Sequence, residues 1–193
     1  MNNHNLVMWK LAEKGEYERL HKYIGKLRPL EKDRHRQWTQ NLILDMILEY
    51  KLLAMEKKKI LYEIKTDMIG EIALADKELC ILLGNLLDNA IEECARLRQV
   101  KDLPVSLRLE IYPHRTYLYI MCRNTTDRKQ LQRRGTALST TKADGRLHGY
   151  GTRIISKIAE KYNGCAEFGL DSGNFVAKIM IDMLSGETGG VTA

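Results

Sequence analysis

His148-Gly149-Tyr150-Gly151 stands directly before a helical pattern over residues 152–163. In that pattern Ile154, Ile155, Ile158, Ala159 and Tyr162 face inward, and Gly164 is the expected stop. Glycines at a helix N-terminus let the backbone approach an anion, and the free N–H groups and helix dipole there favour phosphate. Thr140, Thr141, Lys142 and Arg146 precede them within residues 125–147, a stretch of little periodicity rich in basic and small residues, the composition of a mobile cover over phosphates. A second polar cluster lies upstream in residues 79–94, LCILLGNLLDNAIEEC. Leu79, Leu82, Leu83, Leu86, Leu87, Ala90, Ile91 and Cys94 form an unbroken i, i+3, i+4 series, which predicts one helix with a continuous core stripe. Its other face gathers Asn85, Asp88, Asn89 and Glu92 within about one third of the circumference at ~100° per residue. Asn is a poor helix-interior residue, so two carboxamides one turn apart are an odd choice for a face that only meets water. Asp76 is the expected helix cap, with Glu78 in the first turn.

Together these residues resemble the ATP-binding domain of the GHKL superfamily of gyrase, heat-shock chaperone, histidine kinase and mismatch-repair ATPases. NLLDNAIEE resembles its N-box and HGYG its second glycine box. STTK at residues 139–142, followed by HGYG and a helix, extends the resemblance to sensor histidine kinases that include peptide-pheromone quorum-sensing receptors. The resemblance implies an α+β fold, a two-layer α/β sandwich that binds ATP with Mg²⁺. It makes Asn89 the residue that holds Mg²⁺ through its side-chain oxygen, since a hard cation that keeps waters and bridges phosphates needs few protein ligands. Asn85 is expected near the phosphates or the metal's water shell. Hydrolytic members carry a Glu there to activate water. An amide cannot take a proton, so Asn85 argues for phosphoryl transfer over hydrolysis. Gly149 and Gly151 would contact phosphates through the backbone, in a nucleotide-binding segment with His148 and Tyr150. Thr141 and Lys142 belong to the cover, from which Lys142 or Arg146 neutralises phosphate charge.

One departure stands out. Most histidine kinases carry an Asp-x-Gly-x-Gly box whose Asp accepts from the adenine amino group. Here Cys122-Arg123-Asn124-Thr125-Thr126 follows a strand without those glycines, and Asn124 lies where the Asp is expected. The quorum-sensing kinases resemble this chain in that substitution. Asn124 is thus an adenine-reading candidate, the other reading being a turn residue at a strand end.

The elements that must position these groups are legible too. Ile60, Tyr62 and Ile64 alternate as a first strand; Val105, Leu107, Leu109 and Ile111 as another, with residues 113–116 turning into a strand over 117–122. Residues 165–170 and 175–181 flank Asp171-Ser172-Gly173-Asn174, a hairpin signal. Mixed strands with helices on one face are expected. Ahead of them, residues 5–27 read as one helix despite Gly15, ended by Pro29, and residues 33–58 as a longer one. The middle of the second, NLILDMILEYKLLAM, is apolar around most of its circumference, so one partner helix cannot bury it. A dimeric four-helix bundle, each chain giving a hairpin, would; packing of both helices on the ATP-binding domain of the same chain is the alternative. The hairpin again resembles the quorum-sensing kinases, through Asn3-His4, Gly15-Glu16-Tyr17, Asn41, Asp45, Ile47-Leu48 and Lys51. That alignment puts the phosphoacceptor His and its Asp immediately before Met1. Either the polypeptide is cut from a larger membrane receptor just after the acceptor, the preferred reading, or His4 is the acceptor.

The 193 residues suit one ordinary domain plus a helical appendage, and 44% hydrophobic with 29% charged residues describes a soluble globular chain. No run approaches a membrane span and no signal peptide opens the chain. Cys80, Cys94, Cys122 and Cys165 lack CxxC spacing and read as reduced, packed thiols. The net charge of +6 is spread along the chain with acids interleaved and without an aromatic-basic pattern, so no nucleic-acid partner is expected. The expected organisation is a dimerisation hairpin over 1–58, an ATP-binding domain over 59–184 and a flexible tail over 185–193. The expected function is that of the cytoplasmic kinase portion of a bacterial inner-membrane receptor: a homodimer that moves the γ-phosphoryl of Mg-ATP to a histidine, then to a response regulator. The membrane is reached only through the missing N-terminal sensor region. The alternative is a non-catalytic dimeric docking or phosphotransferase module with a degenerate nucleotide fold. An ATP-hydrolysing machine is disfavoured by Asn85.

Overall fold

The structure, a computed structural model, describes residues 3–27, 38–101, 104–128, 132–134, 137–139 and 148–184. The chain divides into two compact units, residues 1–35 and 36–193.

In the first unit the single helix expected over 5–27 is two: α1 (Asn3–Glu13) and α2 (Tyr17–Leu27). Gly15, at φ +68, takes the left-handed conformation that ends α1. Gly15 N–H donates to the Ala12 carbonyl and Glu16 N–H to the Leu11 carbonyl, the paired bonds of a glycine C-cap, and α2 starts afresh at Tyr17. His4 is exposed on α1, with its Nδ1 2.8 Å from the Tyr23 hydroxyl of α2.

In the second unit α3 spans Leu42–Lys57, shorter than the helix expected over 33–58. Of its missing start, residues 33–37 lie outside the described residues and 38–40 are bends. Asn41 sets the boundary: its side chain accepts from Leu44 N–H at 3.0 Å, an N-cap that fixes where the helix begins. Asn41 Nδ2 also donates to the Gly70 carbonyl, and Thr39 donates to Asp45 Oδ1, so the entry is tied down on both sides. The buried face of α3, Leu44, Leu48, Leu52 and Met55, packs on the long helix α4 (Asp76–Lys101) and on β1 (Leu61–Thr66). Its opposite face leaves Leu42, Met46 and Leu53 exposed.

The sheet is mixed, in the order β1-β2-β3-β7-β6, with β2 (Ser106–His114), β3 (Tyr117–Thr125), β6 (Cys165–Asp171) and β7 (Asn174–Asp182). β1 runs parallel to β2 and every other pair is antiparallel. β2 runs to His114, through the expected turn at Pro113, and the reversal is Arg115-Thr116 alone with Arg115 at φ +57. The Ser172-Gly173 turn has both residues at positive φ, as a type I′ two-residue hairpin requires. Strict alternation buries Leu107, Leu109 and Ile111, then Leu118, Ile120 and Cys122, then Ala177, Ile179 and Ile181. Against them lie α4 and α5 (His148–Lys161), the second layer. Each fully buried Leu of α4 contributes about 1.5–3 kcal/mol of apolar burial. Within the expected loop a short pair, β4 (Gln132–Arg134) and β5 (Ala137–Ser139), forms an antiparallel ribbon.

Two terminus assignments change. Asp76 lies inside the first turn of α4, where Ala75 carbonyl receives the first helical N–H groups, so it complements the dipole without capping. At the end of α5 the left-handed residue is Asn163, at φ +50. Gly164 is there for proximity instead: a Cβ on it would lie 1.8 Å from the Met180 carbonyl oxygen.

Candidate functional site

α4 and α5 pack together so that the first turn of α5 meets the polar side of α4. A Cβ on Gly151 would sit 2.9 Å from Asn89 Nδ2 and 3.2 Å from Asn85 Oδ1. The two carboxamides and the second glycine of HGYG are therefore one cluster, brought from residues far apart in sequence. Asn85 Nδ2 donates to the Ile81 carbonyl at 2.7 Å, which fixes the amide's orientation and leaves its oxygen toward Gly151. His148, Gly149 and Tyr150 open α5 beside it. Thr141 and Lys142, with Thr140 and Arg146, lie outside the described residues.

The remaining polar residues of that face of α4 go elsewhere. Asp88 is bonded to Lys51 of α3 at 2.6 Å, and the Lys51 side chain is buried. Glu92 is exposed.

Beside Asn89 a cleft runs between α4, α5 and the sheet. Its walls are apolar, with Leu86, Ala90, Ile155, Phe168 and Ala177 among them, and Asn89, Asn124 and Thr152 supply polar atoms. Asn124 is buried on β3, paired with Leu107 and Phe175 of the neighbouring strands, and its Nδ2 donates to the Thr125 carbonyl at 3.1 Å. The structure thus places Asn124 in the cleft that Asn89 also lines.

Glu93 was not foreseen. It is 5% exposed on α4 and lines the cleft. Arg96 Nε and a second Arg96 nitrogen donate to its two oxygens at 3.2 and 3.1 Å, Thr126 Oγ1 donates at 2.7 Å and Arg128 at 3.2 Å. Burial acts to raise its pKa, but the bonds from Arg96 and Thr126 and the charges of Arg128 and Arg96 outweigh it, so the carboxyl stays below its usual range. Arg96 also pairs with Asp127. Through this network α4 grips residues 126–128, the segment that follows β3. The signal in the sequence was a carboxylate in the apolar row: Leu86, Ala90, Glu93 and Leu97 follow helical spacing and are all buried.

Thr152 was also missed. It is 8% exposed, and its Oγ1 has no hydrogen-bond partner. It falls in the inward row with Ile155 and Ala159, where a hydroxyl is out of place.

Among the described residues no group of three or more His, Cys, Asp or Glu is arranged to hold a metal ion. An ion at this site would rest on Asn89, with waters and ligand oxygens completing its shell. The residues present fit a metal-bound nucleotide in two respects: an orphaned buried hydroxyl lines the cleft, and the absent Cβ at Gly151 keeps open the space in front of both amides.

A family model described as a GHKL domain matches residues 74–182. In fold the chain is similar to a nucleotide-free catalytic domain of histidine kinase ThkA, at 15% identity and TM-score 0.56 over 78% of this chain and 97% of that one. It is similar to the Acinetobacter baumannii histidine kinase AdeS, at 13% identity and TM-score 0.52 over 89% and 82%. A histidine kinase from Burkholderia phymatum gives 14% identity and TM-score 0.57 over 94% and 91%. No curated protein matches the chain.

Proposed function

We propose, from the premise that this chain belongs to the GHKL domain family, that it is the kinase portion of a sensor histidine kinase of the peptide-pheromone quorum-sensing type. The observation that carries the reading is the single cluster of Asn85, Asn89 and Gly151 beside an apolar cleft. Bound Mg-ATP would supply the γ-phosphoryl group and the charge neutralisation that its transfer needs. Asn89 would hold the ion through its amide oxygen. Asn85, whose NH₂ is committed to Ile81, presents an oxygen that cannot act as a general base, which favours transfer to a protein group over hydrolysis. The backbone of the first turn of α5, with Gly149 and Gly151, would cradle phosphates; Thr141 and Lys142 would close over them. Asn124 would accept from adenine in the apolar cleft. Catalysis would be positioning and electrostatics, with little covalent chemistry left to the protein.

Titration calorimetry of the chain with Mg-ADP tests the reading. Binding that disappears in Asn89→Ala supports it; no heat at millimolar nucleotide, or undiminished binding in that variant, sinks it. Steady phosphate release from ATP would overturn the choice of transfer over hydrolysis. The phosphoryl would pass to a histidine of a dimer hairpin and on to a response regulator. Homodimerisation is supported by the exposed Leu42, Met46 and Leu53, which line one side of α3 opposite its packed face. Light scattering that reports a monomer at micromolar concentration would count against it.

A further inference from the structure

We infer that Thr152 is a base-reading residue, its hydroxyl donating to a ring nitrogen of adenine while Asn124 accepts from the exocyclic amino group. The inference rests on the nucleotide-binding reading and adds to it a second contact to the base, from α5 beside the one from β3.

A helical threonine usually satisfies its hydroxyl on the carbonyl three or four residues back. Thr152 does not: its Oγ1 is buried and unpartnered in a cleft it shares with apolar side chains and a few polar ones. A buried hydroxyl left without a bond is costly, so one that persists calls for a ligand. The other polar groups in the cleft are partly committed. Thr126 Oγ1 donates to Glu93, Arg128 is paired with Glu93, and Asn124 Nδ2 is bonded to the Thr125 carbonyl. With Asn89 given to the ion, that leaves the Asn124 oxygen as an acceptor and the Thr152 hydroxyl as a donor, both lining the same cleft. The apolar sides, Leu86, Ala90, Ile155 and Phe168 among them, suit the faces of a flat ring. An adenine edge offers an amino donor next to a ring-nitrogen acceptor, the complement of this pair. Hypoxanthine offers a carbonyl in place of the amino group, so it meets the Asn124 oxygen acceptor to acceptor, while the Thr152 hydroxyl can turn to accept from its ring N–H.

Calorimetry of wild type, Thr152→Val and Thr152→Ser with Mg-ADP and Mg-IDP, and melts without ligand, test this. Wild type should bind ADP more tightly than IDP. Thr152→Val, which replaces the hydroxyl by a methyl group of similar size, should weaken ADP binding about threefold to tenfold, as loss of one neutral hydrogen bond does, and leave the ADP/IDP preference to Asn124. Its ligand-free melting temperature should hold or rise, because an unsatisfied hydroxyl has gone; a merely structural hydroxyl would lower it. Thr152→Ser should keep ADP affinity near wild type. ADP binding unchanged in Thr152→Val, or weakened equally in Val and Ser, overturns the inference while nucleotide binding stands. No nucleotide heat from wild type removes the nucleotide reading itself, and this inference with it.

Discussion

Gly151→Ala separates the site from the scaffold. The added Cβ would lie 2.9 Å from Asn89 Nδ2 and 3.2 Å from Asn85 Oδ1, and both neighbours are the far ends of rotatable side chains. They can turn away. Turning an amide off its preferred rotamer costs about 0.5–1.5 kcal/mol, and loss of the Asn85–Ile81 bond about as much. Alanine in a helix returns up to about 1 kcal/mol relative to glycine. The terms nearly cancel, so global stability should change by no more than about 1–2 kcal/mol, or about 2–8 °C in melting temperature. The displacement falls entirely on the two carboxamides. If they hold the metal and phosphates, a shift of about 1 Å should weaken Mg-ADP binding by tenfold to a hundredfold.

Gly164→Ala is the contrast. There the Cβ would meet a backbone carbonyl oxygen at 1.8 Å, with the Ile181 Cα at 3.0 Å behind it, and β7 would have to move. Destabilisation above about 4 kcal/mol is expected. Thermal melts and calorimetry on both variants decide the matter. Gly151→Ala with wild-type affinity would refute the assignment of Asn85 and Asn89 to the ligand. Gly151→Ala that unfolds like Gly164→Ala would show that the amides serve packing.

The carboxyl of Glu78 is held low chiefly by the hydrogen bond from Tyr162, and that of Glu93 is net low despite burial, by Arg96, Thr126 and Arg128. Both therefore lend stability that is present above the ordinary carboxylate value of 4.5 and is lost as pH falls through their lower folded values; urea melts between pH 7 and pH 3 should show it, and Glu93→Gln should flatten the acid limb, parallel curves contradicting the network. Asp88→Ala strands the buried Lys51 ammonium and should cost about 1–3 kcal/mol, moderated by water reaching the exposed Asp88 side. Lys51→Met, joining the row of Leu48, Leu52 and Met55, should be nearly neutral in denaturant melts, and equal costs for the two variants would refute the argument. Burial pushes the Cys94 thiol up to about 11 and the Cys122 thiol to about 12, so iodoacetamide at neutral pH should label the exposed Cys80 and Cys165 in the native protein and spare the other two.

The sheet was legible because its strands alternate strictly and its hairpin at 172–173 uses residues that tolerate positive φ. The helix over 79–94 was legible for the same kind of reason, an unbroken apolar row. The first helical segment was misread because Gly15 was scored as a weak interior residue, when its free φ let it serve as a cap. The start of α3 differs because residues 33–40, polar apart from Trp38, hold no glycine or proline to mark a boundary, whereas the Asn41 side chain caps the helix at Leu44 N–H. The meeting of Asn85, Asn89 and Gly151 was expected from the family resemblance of the two motifs, and the three residues do lie together. Glu93 and Thr152 were not expected, since each sits in an apolar row and draws its meaning from what faces it across the cleft, which one-dimensional periodicity does not report.

The fate of the polar residues on α4 bears on the segment after β3, where the glycine box expected of most histidine kinases is missing. A glycine-rich loop reaches a ligand through conformational freedom and must be ordered when the ligand arrives. Here residues 126–128 are held in advance: Thr126 and Arg128 by Glu93, Asp127 by Arg96 and Lys101. Glu93 stands one turn beyond Asn89, so the group that fixes the loop and the group assigned to the ion ride on the same rigid helix. The same helix is tied to α3 by Asp88 and to the end of α5 by Glu78, which accepts from Lys161 and Tyr162. Each tether leaves α4 at a different azimuth, and the apolar row between them is buried. A displacement of α3 that pulls on Asp88 must then move Asn89, its immediate neighbour, or break the Lys51–Asp88 ion pair. That mechanical link runs from a helix with an exposed apolar stripe to the amide beside Gly151.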